Sequence, residues 1–357
     1  MDIKQSTAAY EAWLAQRIPV LAGDLRLKHQ RMAQSPFPFF RATFYRWVQL
    51  WPQVGREVSA ARRVLGVGDL HVENFGTWRD HEGRLIWGIN DFDEVALMPF
   101  TNDLVRLAAS AILAIREREL SCTPEDACDA ILSGYRAALA AGGGPFVLAE
   151  RHRALRQLAI SNLRDPVAYW DKLNRLPAER SPVPASVRGA LRQALPEQRP
   201  PFRLVHRQAG LGSLGRRRFT LLAQWRGGQI AREAKELTTS AWGWEKGARG
   251  GSRILYQQAL DRAVRVSDPF VSVHANWLLR RLAPDCSRID LASLPKARDE
   301  IKLLGAMGWE TANVHLGTQG AGAALHDLDR LPGRWLRKAA TVMTAAALED
   351  WKAWTKG

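Results

Sequence analysis

A carboxylate, an amide and a second carboxylate, Asp69, Asn74 and Asp91, are spaced along GVGDLHVENFGTWRDHEGRLIWGINDFDE as phosphoryl chemistry would need them. The polar run with glycine around Asp80, His81, Glu82 and Gly83 predicts the turn of a hairpin. Residues whose numbers sum to about 165 then face each other, and Asn74 and Asp91 satisfy that sum, with their Cβ atoms roughly 5 Å apart. An amide oxygen beside a carboxylate suits Mg²⁺, a hard cation that takes oxygen ligands and leaves places for phosphate and water. Asp69 lies five residues before Asn74 at the end of an apolar strand, so one short loop would set its carboxylate beside the pair. There it would accept a proton from an attacking hydroxyl while the cation neutralises charge on the transferring group.

These residues carry a resemblance. GDLHVEN followed by INDFDE resembles the catalytic-loop and metal-binding motifs of the aminoglycoside-phosphotransferase and protein-kinase superfamily. The resemblance implies Asp69 as catalytic base, Asn74 and Asp91 as metal ligands, and Asp103 in PFTNDLVRLAAS as a brace for the catalytic loop. More closely, the span from PFPFFRA through GDLHVENFG, NDFDE and NDLVRLAAS resembles a bacterial domain-of-unknown-function family, number 2252. That similarity continues more thinly through GLGSLG and AKEL to GWETANVHLG. GDxH also opens metallophosphoesterases, with Asp69 and His71 as ligands, but no GNH[DE] or later GHxH completes that dinuclear site. His71 alone reads as a hydrogen-bonded loop residue. Asp93 and Glu94 are either a further metal contact or solvated charges.

GLGSLG fits GxGxxG, which binds dinucleotides only when a helix follows directly. Here RFTLLAQW, a Gly227-Gly228 turn and QIAREAKEL follow, a hairpin, so a kinase-type glycine loop fits better, with Gly210, Gly212, Ser213 and Gly215 over the phosphates of ATP. A turn centred on Gly227-Gly228 pairs Lys235 with Thr220, about 15 Å of strand from Gly215, so its ammonium returns beneath the loop. Three departures stand against the kinase pattern. Arg217 replaces a valine, and the expected helix from Gly251 to Val266 has no glutamate for Lys235, leaving Gln257, Gln258 or Glu245 as substitutes. The glycine loop also follows the catalytic loop instead of preceding it, which requires a circular permutation.

The elements that must position these groups follow from pattern. Residues 7–51 read as two or three amphipathic helices around a PFPFF connector at 36–40. A strand at RVLGVG and the hairpin come next, then a helix from Asn102 to about Leu120 and another capped by Thr123 and begun by Pro124. Residues 176–202 read as a linker with one short helix. After the glycine hairpin come a helix from Gly251, one strand in PFVSVHANWLLRRL, and long helices around 296–316 and 333–354. The expected fold class is α+β: a circularly permuted, kinase-like two-lobed fold. Its parts are a helical lobe at 1–195, an antiparallel β lobe at 196–292, and C-terminal helices at 293–357 that return to the helical lobe.

Composition bounds the rest. A chain of 357 residues, 46% hydrophobic, buries a full core. The N-terminus lacks a signal-like apolar run, and LVRLAASAILAI is short and interrupted by Arg106, so a cytoplasmic protein with no membrane partner is expected. Three cysteines without a CxxC pair suggest neither a zinc site nor a disulfide framework. The net charge of +15 attracts anions, and RRR at 216–218 is the only tight basic cluster, which disfavours a dedicated nucleic-acid binder. Most of the 14 tryptophans sit beside apolar residues, as core packing requires. The reading is an ATP- and Mg²⁺-dependent phosphotransferase acting on an unidentified hydroxyl acceptor, a small molecule or a protein. Alternatives are an AMP transferase or nucleotide-binding pseudokinase of the same fold, a metal-dependent phosphohydrolase, and, less favoured, a nucleic-acid binder.

Overall fold

The computed structural model describes residues 1–196, 200–247, 253–288 and 298–356. Four helices open the chain: α1 (Ile3–Ala15), α2 (Ala22–Gln34), α3 (Pro36–Ala42) and α4 (Phe44–Leu50). Asp2 and Gln5 start α1 with a reciprocal capping box. PFPFF is not a connector, because Pro36 and Pro38 stand in the first turn of α3, where an amide has no acceptor within the helix. The short α5 (Arg56–Ser59) leads to β1 (Arg63–Gly66), β2 (Phe75–Arg79), β3 (Leu85–Ile89) and β4 (Ala96–Pro99). Then come α6 (Phe100–Arg116), α7 (Pro124–Ala141), β5 (Phe146–Val147), α8 (Arg153–Ser161), α9 (Pro166–Asn174) and α10 (Ala185–Gln193). Thr123 and Asp126 cap α7 as its sequence implied.

The second half begins with β6 (Phe202–Val205), β7 (Arg218–Trp225) and β8 (Gly228–Glu236), followed by α11 (Ala241–Lys246) and α12 (Tyr256–Arg262). The segment read as one strand is two, β9 (Ser272–His274) and β10 (Trp277–Leu282), since Ala275 turns the chain with positive φ. The helix expected across 251–266 is only α12. The chain closes with α13 (Arg298–His315), α14 (Ala324–Asp329) and α15 (Trp335–Thr355). The boundary expected between 292 and 293, and the helix starts expected at 251 and 296, lie outside the described residues.

Among the described residues all strand pairs are antiparallel, in three sheets ordered β1-β4, β2-β3-β5 and β6-β7-β8-β10-β9. The largest core surrounds α6, every residue of which is buried from Phe100 to Ala114. Against it pack α7, α13 and α15. Helices α7 and α13 approach closely because glycine faces backbone: a Cβ on Gly134 would strike Gly305, and one on Gly308 would strike Ile131. The five-stranded sheet has its own cores. Val187, Leu191 and Leu195 cover one face with Phe219 and Leu221, and Tyr169 and Leu173 of α9 pack with Val205 and Leu222. Residues of α9 and α10 before 195 therefore take part in the sheet's packing. Helix α15 returns to the first helices, where Arg46 pairs with Asp350 at 2.7 Å. The turn after α13 reaches β1, where Leu65 N–H donates to Thr318 Oγ1 at 2.7 Å.

Candidate functional site

Strand β1 feeds directly into the loop that carries Asp69. The Val67 and Gly68 amides donate to the two oxygens of Asp103 at 2.6 and 2.9 Å, so a carboxylate on α6 holds the loop by its backbone. His315 fixes Asp103 at 2.9 Å, and Tyr135 fixes His315 at 2.8 Å, all three fully buried. Gly68 has φ of +88°, and a Cβ there would strike the Glu94 carbonyl, so this position requires glycine. Asp69 is bound by Arg106, whose Nε donates at 2.9 Å, with Nη2 on the same oxygen. Arg106 is itself fully buried, 4.0 Å from the Phe40 ring centroid, and donates to the Phe40 carbonyl. Burial lifts the Asp69 carboxyl to about 7 against the pull of Arg106.

The β2–β3 hairpin forms as expected, with its turn at residues 80–84, but its register differs by one from the expected pairing. Phe75 faces Ile89, so Asn74 meets Asn90, whose amide donates to the Asn74 carbonyl at 3.0 Å. The cause is an odd-numbered loop of five residues, which moves the sum of facing positions. Asn74 Oδ1 accepts the His71 amide at 2.8 Å, and the His71 ring accepts the Glu73 amide at 3.2 Å. Asp91, one residue beyond Asn90, still opens into the same cavity as Asn74 and Asp69.

The glycine segment lies between β6 and β7, where a single 3₁₀ turn at Leu211–Ser213 leads back into strand. Gly210 and Gly215 have φ of +74° and +98°. Gly212 sits against Asp69: a Cβ there would lie 3.2 Å from the Arg41 carbonyl and 3.5 Å from Asp69 Oδ2. The following hairpin turns on Arg226 and Gly227, both with positive φ, so Trp225 faces Gly228 and Lys235 faces Arg218 instead of Thr220. Lys235, 1% exposed, reaches Asp93 at 2.6 Å and Asp91 at 3.4 Å, across 144 residues of chain in the latter case. Its partners are thus these two aspartates and not Gln257, Gln258 or Glu245.

Glu94 is buried and Asp93 largely so, rather than solvated. Burial would raise Asp93, yet Lys235 and Arg216 hold it at about 2, whereas partial desolvation and the Asp93 charge raise Asp91. Arg216 also pairs with Glu94 at 3.1 Å, and Glu94 accepts the Ala241 amide at 2.7 Å. A cavity of about 60 Å³ joins Asp69, Asn74, Asp91 and residues 210–213. It opens beside a cleft of about 890 Å³ that shares Asn74, Asp91, Gly210 and Leu211. The small cavity has room for a group of only a few atoms, and the large cleft is roomy enough for a molecule of nucleotide size.

Sequence reasoning missed Arg106 and Arg216. The signal for the first was one arginine in an otherwise apolar helix. For the second it was the RRR cluster, all of which turns into ion pairs: Arg216 with Glu94, Arg217 with Glu236 and Arg218 with Glu233.

No curated protein and no solved structure matches the chain. Among the described residues no helix is long and apolar enough to cross a membrane. The further similarity expected through GLGSLG, AKEL and GWETANVHLG lies beyond the one matched region. The model of a family described as an uncharacterized protein conserved in bacteria, DUF2252, matches residues 17–164, the stretch that carries Asp69, Asn74, Asp91, Asp103 and Arg106.

Proposed function

We propose that this protein is a phosphotransferase that moves the γ-phosphoryl group of ATP to a hydroxyl, on a permuted kinase-like two-lobed fold. One observation carries the reading. Lys235 on the five-stranded sheet lies 3.4 Å from Asp91, and Gly212 lies against Asp69, although each pair is more than a hundred residues apart. A glycine segment, two aspartates and an asparagine meeting at one cavity, with a buried lysine behind two of its aspartates, are the parts that phosphoryl transfer uses.

In this reading Asp69 accepts the hydroxyl proton. Arg106 orients its carboxylate and leaves Oδ2 toward the cavity. Residues 210–213 line the cavity beside the phosphates, and Lys235 fixes Asp93 and Asp91 behind it. The donor set fits a hard cation: Asp91 has its side chain 38% exposed, and the Asn74 amide oxygen keeps a lone pair beyond its bond to His71. Among the described residues no three His, Cys, Asp or Glu side chains gather to hold a metal, so phosphate and water oxygens would complete the shell. When bound, Mg²⁺ would neutralise charge on the transferring group. The dinuclear phosphohydrolase alternative gains nothing here, since it needs a fuller set of protein ligands.

A thermal-shift titration of ATP with and without Mg²⁺ tests the proposal. Saturating Mg·ATP, at about a hundredfold over Kd, should stabilise the wild type by about 2.7 kcal/mol. Asp91→Ala should fold, because Asp93 still pairs with Lys235, yet lose the Mg²⁺-dependent part. A variant that keeps that part removes the metal assignment, and a wild type blind to Mg·ATP removes the phosphotransferase.

A further inference from the structure

The large cleft is strongly cationic. Eight arginines line it against four carboxylates. Of those carboxylates, Glu73 is already shared by Arg41 and Arg288, Asp91 meets Lys235, and Asp268 feels the charges of both Arg265 and Arg281 without a salt bridge to either among the described residues. At the end formed by residues 265–288, among the described residues, Arg164, Arg265 and Arg281 have no salt-bridge partner. Among the described residues, Nε and Nη1 of Arg265, and Nε and Nη2 of Arg281, are buried without a hydrogen-bond acceptor. Aromatic rings hold these guanidiniums in place: Arg265 lies 4.6 Å from the Trp78 centroid, Arg281 4.6 Å from that of Phe270, and Arg164 5.3 Å from that of Tyr169. Burial and the nearby charges of Arg207 and Arg288 lower the Arg164 pKa, the mark of like charges crowded together.

Charge gathered in this way, fixed and under-neutralised beside a phosphoryl site, calls for an anion. We propose that this end of the cleft binds the acceptor, and that the acceptor is a hydroxyl compound already carrying phosphate. Its identity as acceptor rests on the phosphotransferase reading, whereas anion binding does not. Cationic acceptors such as amino sugars are disfavoured by the same charge, because eight arginines outnumber the four carboxylates of the wall.

Calorimetric titration with inorganic pyrophosphate, on full-length protein saturated with Mg·ADP, separates the two claims. Pyrophosphate should bind, and its affinity should fall about tenfold or more in Arg281→Gln and in the double variant Arg164→Gln/Arg288→Gln. The double variant changes exposed side chains, so it covers the case in which Arg281→Gln fails to fold. A cationic amino sugar should show no binding. Absence of pyrophosphate binding, an affinity unchanged in the folded arginine variants, or competition by Mg·ADP overturns the proposal. Arginine-dependent pyrophosphate binding by a protein that ignores Mg·ADP leaves the anion site standing and removes the phosphotransferase reading instead.

Discussion

Asp69 in the loop after β1 and Glu233 in the sheet are both carboxylates gripped by arginine, yet their proton affinities are shifted in opposite directions. Asp69 meets one guanidinium, and burial prevails, lifting it to about 7. Glu233 is fully buried, which alone would raise it as well, but Arg218, Arg280 and Arg207 surround it and hold it far below the usual carboxylate range. The number of cations around a buried carboxylate therefore separates one that exchanges a proton near neutrality from one that stays ionised and ties strands together. Arg218 and Arg280 come from strands on either side of β8, so Glu233 joins three strands of one sheet.

The largest effect should come from breaking the sheet's carboxylate. Glu233→Ala leaves three guanidiniums facing one another and should cost about 3–5 kcal/mol in urea unfolding, with loss of soluble protein as the visible extreme. A cost below about 1 kcal/mol would mean that the cluster is not structural. In contrast, Asp69→Asn keeps an acceptor for Arg106, so it should fold and bind Mg·ATP while turnover falls by about a hundredfold or more. Turnover at the wild-type rate would remove Asp69 as the base.

A smaller, graded effect is expected from pH. A base works only when ionised, so kcat/KM should rise about tenfold per pH unit up to a limb near 7 and then level off. The same shift has a stability counterpart. The folded pKa of Asp69 exceeds its ordinary 3.8, so its contribution is fully present below 3.8 and is lost as pH rises through about 7. Asn titrates nowhere in this range, and Asp69→Asn should accordingly gain stability relative to wild type as pH rises from 4 to 8. A stability difference independent of pH would place the Asp69 pKa back among ordinary carboxylates.

Much of the site was legible because its motifs are local. GDLHVEN and NDFDE lie on either side of one hairpin, whose turn could be found from Gly83 and its polar neighbours, and GLGSLG announced itself between two β-like runs. Register was less legible. One extra loop residue shifted Asn74 from Asp91 to Asn90, and a turn on Arg226-Gly227 moved Lys235 from Thr220 to Arg218. Turn length and φ sign decide such pairings, and neither is written in hydrophobic periodicity. Arg106 was read only as an interruption of an apolar segment, since its partner lies 37 residues away on another element.

By itself the sequence determined the residue types that can do chemistry, the strands and helices that carry them, and an excess of positive charge. These follow from local pattern and composition, where each residue's neighbours in the chain carry the information. Only the tertiary structure decided that Lys235 pairs with Asp93, that the RRR cluster forms ion pairs, and that Asp69 and Glu233 shift in opposite directions. Each of those outcomes depends on burial and on charges brought together from distant segments. Desolvation and Coulomb energy are set by distance in space, and separation along the chain does not specify it.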